Sequence, residues 1–375
     1  MAKLDEVKIA FIANTSWNIY NFRKGLVHHF LTKGCDIIVL TPRDEYTHSI
    51  IGWGVKWIET PLDGTGINPF KDFKYLTNLK KTFKEEKPDV AFSYTIKCNI
   101  YACFASKRTL VPIICNVSGL GTVFMVEDLV GKLAINLYRI AFKNARFVFF
   151  QNRDDKDLFL SKVRFPEEKI GLLPGSGINL NEYKYSAPEF KKTTKFLMIS
   201  RLIIEKGVKE FAEAALNFAN NDEVSFTLVG RFDESHSRSI DKAEFHRWVQ
   251  SDWIHYLPHS DKIKELIKEH EVVVLPSHRE GTPRTLLEGA AMGRALLASD
   301  VPGCKEIVEE GVNGFLFEAK NVEHLTKKVK RYLSLSLDER KKLSENSRRL
   351  AEMKFDENLV AKAYEETVRQ INVSS

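Results

Sequence analysis

The chain has 375 residues, of which 43% are hydrophobic and 28% are charged, and its formal net charge at pH 7 is +6. This composition describes a globular protein that is more naturally two domains than one. No apolar run is long enough to span a membrane, and the first residues run into a strand instead of forming a signal peptide, so a cytosolic location is expected.

Cysteine usage excludes two further classes of protein. The five cysteines are odd in number and form no Cys-x2-Cys pair: Cys35, Cys98, Cys103, Cys115 and Cys304. A disulfide framework or a structural zinc site is therefore not expected. Each cysteine is predicted to be a small buried hydrophobe.

Apolar strand-like runs alternate with helical patterns twice along the chain, which predicts an α/β fold with two doubly wound parallel-sheet domains. The first series covers residues 7–13, 36–41, 55–59, 89–94, 111–117, 146–151 and 169–174. The second covers 195–201, 224–230, 254–257, 272–276, 295–299 and 314–317. A segment rich in turn-forming residues, 175–188, lies between them. We therefore predict domains 1–174 and 175–356, with a C-terminal helix in 357–375 that could pack back on the first.

The excess positive charge belongs to the first domain, where residues 1–173 contain 25 Lys and Arg against 18 Asp and Glu. Two stretches there, 70–87 and 132–146, mix basic residues with aromatic and aliphatic ones. Basic amphipathic helices favour an anionic membrane surface, although ordinary helices with solvated lysines give the same pattern. Nucleic acid is a weaker interpretation, because no nucleic-acid-binding motif accompanies the charge.

Two cations follow the first strand of the second domain. Arg201 lies at the end of the strand 195–201, and Lys206 lies at the entry to the next helix. A guanidinium and an ammonium in these places could together neutralise a departing diphosphate without a metal ion. A solvated surface pair is the alternative.

The segment 272–291 predicts a strand followed at once by a helix. Val272 to Leu275 form a buried strand ended by Pro276, Thr282 is a plausible N-cap and Pro283 a plausible first helical residue. The helix would begin beside the carboxyl end of a parallel strand, where its free N–H groups and its dipole suit a diphosphate.

Two carboxylates flank the start of this helix. Glu280 precedes it, and Glu288 lies six residues past the predicted cap, about 9 Å along the axis. Because carboxylates accept strong hydrogen bonds from hydroxyl groups, one could bind a sugar and the other a ribose. Two ordinary surface glutamates at a helix start would show the same spacing.

Several motifs taken together resemble the donor domain of retaining glycosyltransferases of family 4, which have the GT-B fold of two Rossmann-like domains facing a cleft. They are Arg201-x4-Lys206, the strand end 228–230, the segment 255–261, Pro276-Ser277-x2-Glu280-Gly281-x-Pro283-x4-Glu288-Gly289, and 299–308 with Gly311 and Gly314. The segments 18–23, 44–46, 118–121 and 177–180 resemble the bacterial branch that extends sugars on undecaprenyl diphosphate in capsule, O-antigen and N-glycan assembly.

The resemblance implies a role for each matching residue. Arg201 and Lys206 would contact the diphosphate, Glu280 the hydroxyls of the donor sugar, and Glu288 the ribose. A catalytic base is expected near 255–259. The remaining donor-binding positions implied are Gly281, Thr282, Pro283, Gly230, Tyr256 and Leu257.

The same resemblance implies the substrates and the location. The expected donor is a UDP-sugar, preferably a UDP-N-acetylhexosamine, and the expected acceptor is a saccharide on polyprenyl diphosphate. No metal or other cofactor is expected. The enzyme would lie in the cytoplasm, peripherally on the cytosolic face of the inner membrane, where it would contact anionic lipid.

The chain departs from the wider family on the acceptor side. The loop 13–17 lacks the glycines that many members carry, and 117–119 lacks a histidine after the fifth strand. Candidate acceptor-side residues are Lys97, Asn99, Ser118 and Gly119, whereas His28 and His29 are expected to be structural or exposed.

Three alternatives remain at this point. A GT-B epimerase or hydrolase would use the same nucleotide site, and a non-catalytic scaffold subunit would use the same fold. Asp155-x-Asp157 imitates the metal-binding pair of the other large glycosyltransferase fold, but these acids follow Asn152 in a predicted first helical turn, where carboxylates stabilise the dipole.

Overall fold

The computed structural model describes residues 4–63, 68–120, 124, 129–234 and 238–373. The chain folds into two compact units. The first contains the described residues up to Ser176 and a helix that begins at Glu357, and the second is Gly177–Asp356. Their boundary lies two residues beyond the predicted one.

In the described residues up to Ser176, the first unit contains seven strands and seven α-helices. The strands are β1 Lys8–Ile12, β2 Asp36–Thr41, β3 Lys56–Glu59, β4 Val90–Tyr94, β5 Ile113–Val117, β6 Ala145–Phe150 and β7 Ile170–Leu172. The helices are α1 Ser16–Phe22, α2 Lys24–Thr32, α3 Thr47–Ile51, α4 Pro69–Glu86, α5 Ile96–Thr109, α6 Leu129–Ala141 and α7 Arg153–Lys162.

These strands form one parallel sheet in the order β3-β2-β1-β4-β5-β6-β7. Alternate side chains point to opposite faces, so Ile37 and Val39 pack with α1, α2 and α3 while Ile38 and Leu40 pack with α4 to α7. The strand order reverses between β1 and β4, and α/β sheets bind ligands at the carboxyl ends of strands at such a switch point.

The second unit repeats this plan with six parallel strands in the order β10-β9-β8-β11-β12-β13. The strands are β8 Thr194–Ile199, β9 Val224–Val229, β10 His255–Leu257, β11 Val272–Leu275, β12 Ala295–Ser299 and β13 Gly314–Phe317. The helices are α8 Val208–Leu216, α9 Lys242–Val249, α10 Ile263–Glu269, α11 Arg284–Ala291, α12 Cys304–Ile307, α13 Val322–Leu333 and α14 Leu337–Lys354. Its switch point lies between β8 and β11.

The final helix, α15 (Glu357–Val373), belongs to the first unit. It packs against α2, where His29 Nε2 lies 2.8 Å from Glu365 Oε2. Tyr364 is fully buried, with its ring centroid 4.7 Å from that of Phe92 and 4.8 Å from that of Phe149. The helix therefore completes one face of the first sheet.

The structure confirms the predicted fold class and every predicted strand, with strand ends that differ by at most two residues. All five cysteines are buried and free, as predicted. Among the described residues, none of the helices combines the length and apolar character needed to cross a membrane.

Candidate active site

The switch point of the second sheet brings together the two segments that sequence analysis selected. β8 ends at Ile199 and β11 at Leu275, and these strands are neighbours in the sheet. The loops that follow them carry Arg201 and Lys206 on one side and Glu280 on the other. His278 N donates to Glu205 O at 2.8 Å, so the two loops are joined through their backbones.

Gly207 allows this close approach. Its φ of +72° is in the left-handed region, and a Cβ there would overlap the carbonyl oxygen of Pro276. The preceding residues, Ile204–Lys206, form one turn of 3₁₀ helix. The turn therefore fixes Lys206 directly beside the loop after β11.

Lys206 and Glu280 form an ion pair across the switch point. Lys206 Nζ lies 2.5 Å from Glu280 Oε1, and both side chains are largely buried. Burial removes much of the water that would screen the pair, so its charges act strongly on whatever binds beside them. The fully buried Cys304 thiol lies nearby, and burial followed by the Glu280 carboxylate raises its pKa well above the ordinary value.

Arg201 follows the end of β8 on the same loop. Its side chain is exposed, and no carboxylate among the described residues pairs with it. Ile203 N donates to Arg201 O at 2.9 Å, which closes a tight turn. The guanidinium is thus available to an anion.

Glu288 lies in the second turn of α11 and is buried. Its Oε1 accepts from Tyr183 Oη at 2.9 Å and from Arg284 Nε at 2.8 Å. Burial, and then the Glu288 carboxylate, raises the pKa of Tyr183, so this hydroxyl remains a proton donor. The sequence pointed to Glu288 but not to its two partners. Tyr183 is 105 residues away, so no spacing connects it to Glu288. Arg284 is four residues before Glu288 on α11, and this helical i,i+4 spacing is the signal that could have found it.

A second carboxylate contact near the site was also missed. His278 Nε2 lies 2.9 Å from Glu210 Oε1, and both side chains are largely buried. His278 falls within Pro276-Ser277-x2-Glu280, where the resemblance leaves it unspecified. The contact ties the loop after β11 to α8.

The helix start differs by one residue from the predicted one. Pro283 is the N-cap, with ψ of 119°, and Arg284 is the first helical residue, so the prediction of Thr282 as N-cap and Pro283 as first residue was wrong. Proline has no side-chain acceptor with which to cap the helix. Thr285 Oγ1 instead donates to Ile199 O at 3.2 Å, which ties α11 to the end of β8. Gly281, Thr282 and Pro283 therefore form the segment that leads directly into the N-terminus of α11.

Gly230 follows β9, the strand next to β8, and Tyr256 and Leu257 lie in β10, the strand beyond it. Gly230 N donates to Leu257 O at 3.0 Å, and Tyr256 Oη donates to Gly230 O at 2.9 Å. A Cβ on Gly230 would overlap the carbonyl oxygen of Ser200. These residues therefore shape the loop that carries Arg201.

In the first unit, the four predicted acceptor-side residues have different environments. Lys97 Nζ is 2.9 Å from Asp72 Oδ1 and 2.7 Å from the carbonyl oxygen of Asp63, so its charge is already compensated. Asn99 is buried and donates to Asn116 O at 3.0 Å, while its Oδ1 has no partner. Ser118 Oγ donates to Asn116 Oδ1 at 3.2 Å, and Gly119 adjoins it.

Of the acidic pair predicted in the first turn of α7, only Asp155 lies there; Asp157 is the fifth residue of the helix, so its placement in the first turn was wrong. Asn152 caps this helix by accepting from Asp155 N at 2.7 Å. Asp155 is buried, whereas Asp157 is exposed. Their carboxylates therefore meet different surroundings.

Family models match both units. The model described as glycosyl transferases group 1 matches residues 181–350, and the model described as glycosyl transferase 4-like matches residues 8–152. Two solved structures cover nearly the whole chain. A glycosyltransferase from Rickettsia africae has a TM-score of 0.83 at 18% identity, covering 99% of this chain and 100% of that one. Anabaena Alr3699/HepE in complex with UDP and glucose has a TM-score of 0.79 at 16% identity, covering 97% and 100%. The fold is therefore GT-B, and the protein is a glycosyltransferase.

Two related enzymes identify the family to which the chain belongs. The N,N'-diacetylbacillosaminyl-diphospho-undecaprenol alpha-1,3-N-acetylgalactosaminyltransferase of Campylobacter jejuni is 31% identical over 96% of this chain and 97% of its own length. The UDP-Gal:alpha-D-GlcNAc-diphosphoundecaprenol alpha-1,3-galactosyltransferase of Escherichia coli is 26% identical over 68% of this chain and 69% of its own length. The chain belongs to glycosyltransferase family 4, as its motifs predicted.

Proposed function

We propose that this glycosyltransferase transfers a sugar from a UDP-sugar to a saccharide carried on polyprenyl diphosphate, with retention of the anomeric configuration. The preferred donor is a UDP-N-acetylhexosamine. The observation that carries the proposal is the Lys206–Glu280 pair at the switch point of the second sheet, with Arg201 on the same loop. The names of the two relatives support the acceptor class, and the UDP in the Anabaena structure supports the donor class.

Lys206 and Arg201 would stabilise the leaving diphosphate. Lys206 has three N–H donors, so it can keep its bond to Glu280 and still donate to a phosphate oxygen. Arg201 offers a planar fork that matches two phosphate oxygens. Together they would stabilise the negative charge that develops on the departing diphosphate, and the proposal therefore includes no metal or other cofactor.

The two carboxylates account for orientation of the donor. Glu280, held by Lys206, would accept hydrogen bonds from the donor-sugar hydroxyls. Glu288, held by Tyr183 and Arg284, would accept from the ribose, because a carboxylate has room for further hydrogen bonds beyond these two. The backbone N–H groups of Gly281 and Thr282 would contact the phosphates at the start of α11, and Pro283, which has no N–H, would only shape the approach.

Retention fits a step in which the acceptor hydroxyl attacks the sugar from the face that the diphosphate leaves. The new C–O bond forms as the C1–O bond to the diphosphate breaks, and a leaving phosphate oxygen takes the acceptor proton. The protein would then act by positioning both substrates and stabilising charge.

We propose that the acceptor is reached at the cytosolic face of the inner membrane, and the first unit carries a surface that supports this. On α4, Tyr75 and Phe83 are buried, whereas Phe70 is 88% and Phe73 69% exposed beside exposed Lys74. On α6, Leu133 and Ile140 are likewise exposed among basic residues, Lys132 and Arg139. Exposed apolar side chains beside lysines fit an anionic lipid surface.

A donor panel with purified protein tests the proposal. UDP- and GDP-sugars are offered with a synthetic polyprenyl-diphosphate-linked sugar, and the product is analysed for linkage and anomeric configuration. We expect transfer from one UDP-N-acetylhexosamine, with the configuration of the donor retained. Glu280→Gln should reduce the rate about 100-fold, the scale of losing one group that stabilises the transition state.

Glu244→Gln is the matched control, since Glu244 forms a lysine pair in the same unit, 2.8 Å from Lys209, but on the exposed surface. It should transfer at the wild-type rate. Release of free sugar without acceptor would instead indicate a hydrolase, and an isomerised donor would indicate an epimerase. Full activity in Glu280→Gln would remove the assigned role of that carboxylate.

A further inference from the structure

Arg23, between α1 and α2, is a buried cation without a counter-ion. Only 3% of its surface is exposed, and its Nε and Nη1 atoms are buried without a hydrogen-bond partner. Throughout the described parts of the chain, no carboxylate lies within ion-pair distance of it. An arginine cannot release its proton to escape this cost, so the described residues leave its charge uncompensated.

The position of Arg23 is the ligand-binding position of this fold. Its guanidinium carbon lies 4.1 Å from the centroid of the Tyr94 ring, and Tyr94 is the last residue of β4. Arg23 follows β1 and its short helix, so the pair spans β1 and β4, between which the strand order of the first sheet reverses. The unpaired charge therefore lies at the switch point of the first unit.

The groups around this point are neutral. Asn116 Nδ2 donates to Tyr364 Oη at 3.1 Å, and Gln151 Nε2 lies 3.4 Å from Asn116 Oδ1. In the segment that leads to Arg23, the Oδ1 atoms of Asn14 and Asn18 are buried without partners. A neutral polar setting with one unpaired cation selects a negatively charged ligand that also carries hydroxyl groups.

The aromatic ring does not by itself explain the arginine. A second arginine of the same unit, Arg43, lies 4.6 Å from the Trp57 ring centroid, but it is half exposed and its Nε is 3.6 Å from Glu59 Oε2. Water and a carboxylate thus compensate Arg43, whereas Arg23 has only the face of Tyr94, which offsets part of the cost.

We propose that Arg23 binds the diphosphate of the polyprenyl-linked acceptor, with its fork on two phosphate oxygens. This inference rests on the proposed function and adds the residue that recognises the acceptor charge. The assignment is to the acceptor diphosphate because Arg201 and Lys206, in the second unit, already match the donor diphosphate.

Kinetics of Arg23→Met and Arg23→Lys test the assignment, with Arg43→Met as the matched control. The KM for the polyprenyl-diphosphate-linked sugar should rise about 10- to 100-fold in Arg23→Met, the range expected for loss of charged hydrogen bonds. Arg23→Lys should recover part of this loss, and the KM for the UDP-sugar should stay unchanged in all three. Wild-type preference for a diphosphate-linked over a monophosphate-linked acceptor should disappear in Arg23→Met alone.

Thermal unfolding separates this role from a packing role. Removing an unpaired buried charge should leave the Tm of Arg23→Met equal to or above that of wild type. Inorganic diphosphate, added with UDP already saturating, should raise the Tm of wild type and Arg43→Met but not of Arg23→Met. This binding measurement needs no transfer reaction.

The outcomes are distinct. An unchanged acceptor KM with a lowered Tm in Arg23→Met would show that the arginine only packs on Tyr94, and a raised donor KM would place the donor diphosphate there. Both results overturn the inference. If wild type transfers no sugar to the lipid acceptor, the proposed function fails, and the diphosphate-dependent Tm then decides the inference by itself.

Discussion

Glu288 shows how a single side chain in the second unit is prepared for a ligand. A buried carboxylate would be costly alone, but the guanidinium of Arg284 compensates its charge and the hydroxyl of Tyr183 fixes its orientation. Because Tyr183 comes from the segment that opens the second unit, the donor site depends on residues far outside the motif that contains Glu288.

Tyr183→Phe tests this orientation. Loss of one hydrogen bond to a charged group should raise the dissociation constant for UDP about 10-fold, measured by calorimetry. Tyr185→Phe is the control, because Tyr185 lies in the same segment but its hydroxyl is 3.5 Å from Ser344 Oγ and does not contact Glu288. Equal affinity in the two variants would contradict the role given to Tyr183.

His270 predicts a pH dependence of stability. Its Nδ1 lies 2.6 Å from Leu266 O and its Nε2 2.8 Å from Thr227 Oγ1, and burial lowers its pKa below the ordinary 6.5. The unfolded chain therefore takes up a proton near pH 6.5 that the folded chain takes up only at lower pH. The stability that His270 contributes is complete above pH 6.5 and is lost as the pH falls toward the lowered pKa.

We expect the Tm of His270→Gln to fall less than that of wild type between about pH 7.5 and 5.5. Burial raises the pKa of the neighbouring Glu271, which acts in the opposite direction at lower pH, but both proteins retain that group. The difference between the two Tm profiles therefore isolates His270. Parallel profiles would show that its protonation is not linked to unfolding.

At the scale of elements, the turn between β8 and α8 depends on Gly207. Gly207→Ala would be strained by its φ of +72° and would also force the new methyl group into the Pro276 carbonyl oxygen. Gly311 has the same φ, but a Cβ there would meet nothing within 4 Å.

Gly311→Ala should therefore cost only the conformational penalty, about 1–2 kcal/mol, whereas Gly207→Ala should cost clearly more and should also weaken UDP binding. Urea unfolding of both variants, with UDP titration, measures the two effects. Equal losses in unfolding free energy would mean that the loops can separate without penalty.

The elements themselves were predictable because strands such as Val272–Leu275 are short apolar runs flanked by turn residues, a local signal that the sheet preserves. The carboxylates of the site were predictable from their place beside such a strand. Tyr183, the partner of Glu288, and Glu210, the partner of His278, were not predictable, because both reach the site through tertiary packing. The same holds for Lys97, whose pairing with Asp72 needs α4 and α5 to be adjacent.

At the scale of the whole molecule, the first unit carries the net positive charge, and it also exposes apolar side chains on α4 and α6. The double variant Phe70→Ser/Phe73→Ser should bind vesicles containing anionic phospholipid more weakly than wild type, because two exposed aromatic side chains no longer enter the interface. Binding of both proteins should weaken as salt rises, since the lysines remain.

Leu110→Ser is the control, because Leu110 is 85% exposed in the same unit but lies beside Lys84 and Lys87 at the C-terminal end of α4, whereas Phe70 and Phe73 lie at its N-terminal end. Co-sedimentation at several salt concentrations gives both comparisons. If Leu110→Ser weakened binding as much as the double variant, the lipid contact would not belong to α4.

The return of α15 to the first unit sets the order in which this protein can mature on the ribosome. Residues up to Ser176 emerge first, yet the sheet face that receives Val360, Tyr364 and Val368 stays uncovered until the 180 residues of Gly177–Asp356 have been synthesised. The unit encoded first is therefore completed last. During that interval the apolar sheet face that α15 later covers is exposed on the nascent chain. Exposed apolar surface of this kind is what chaperones bind.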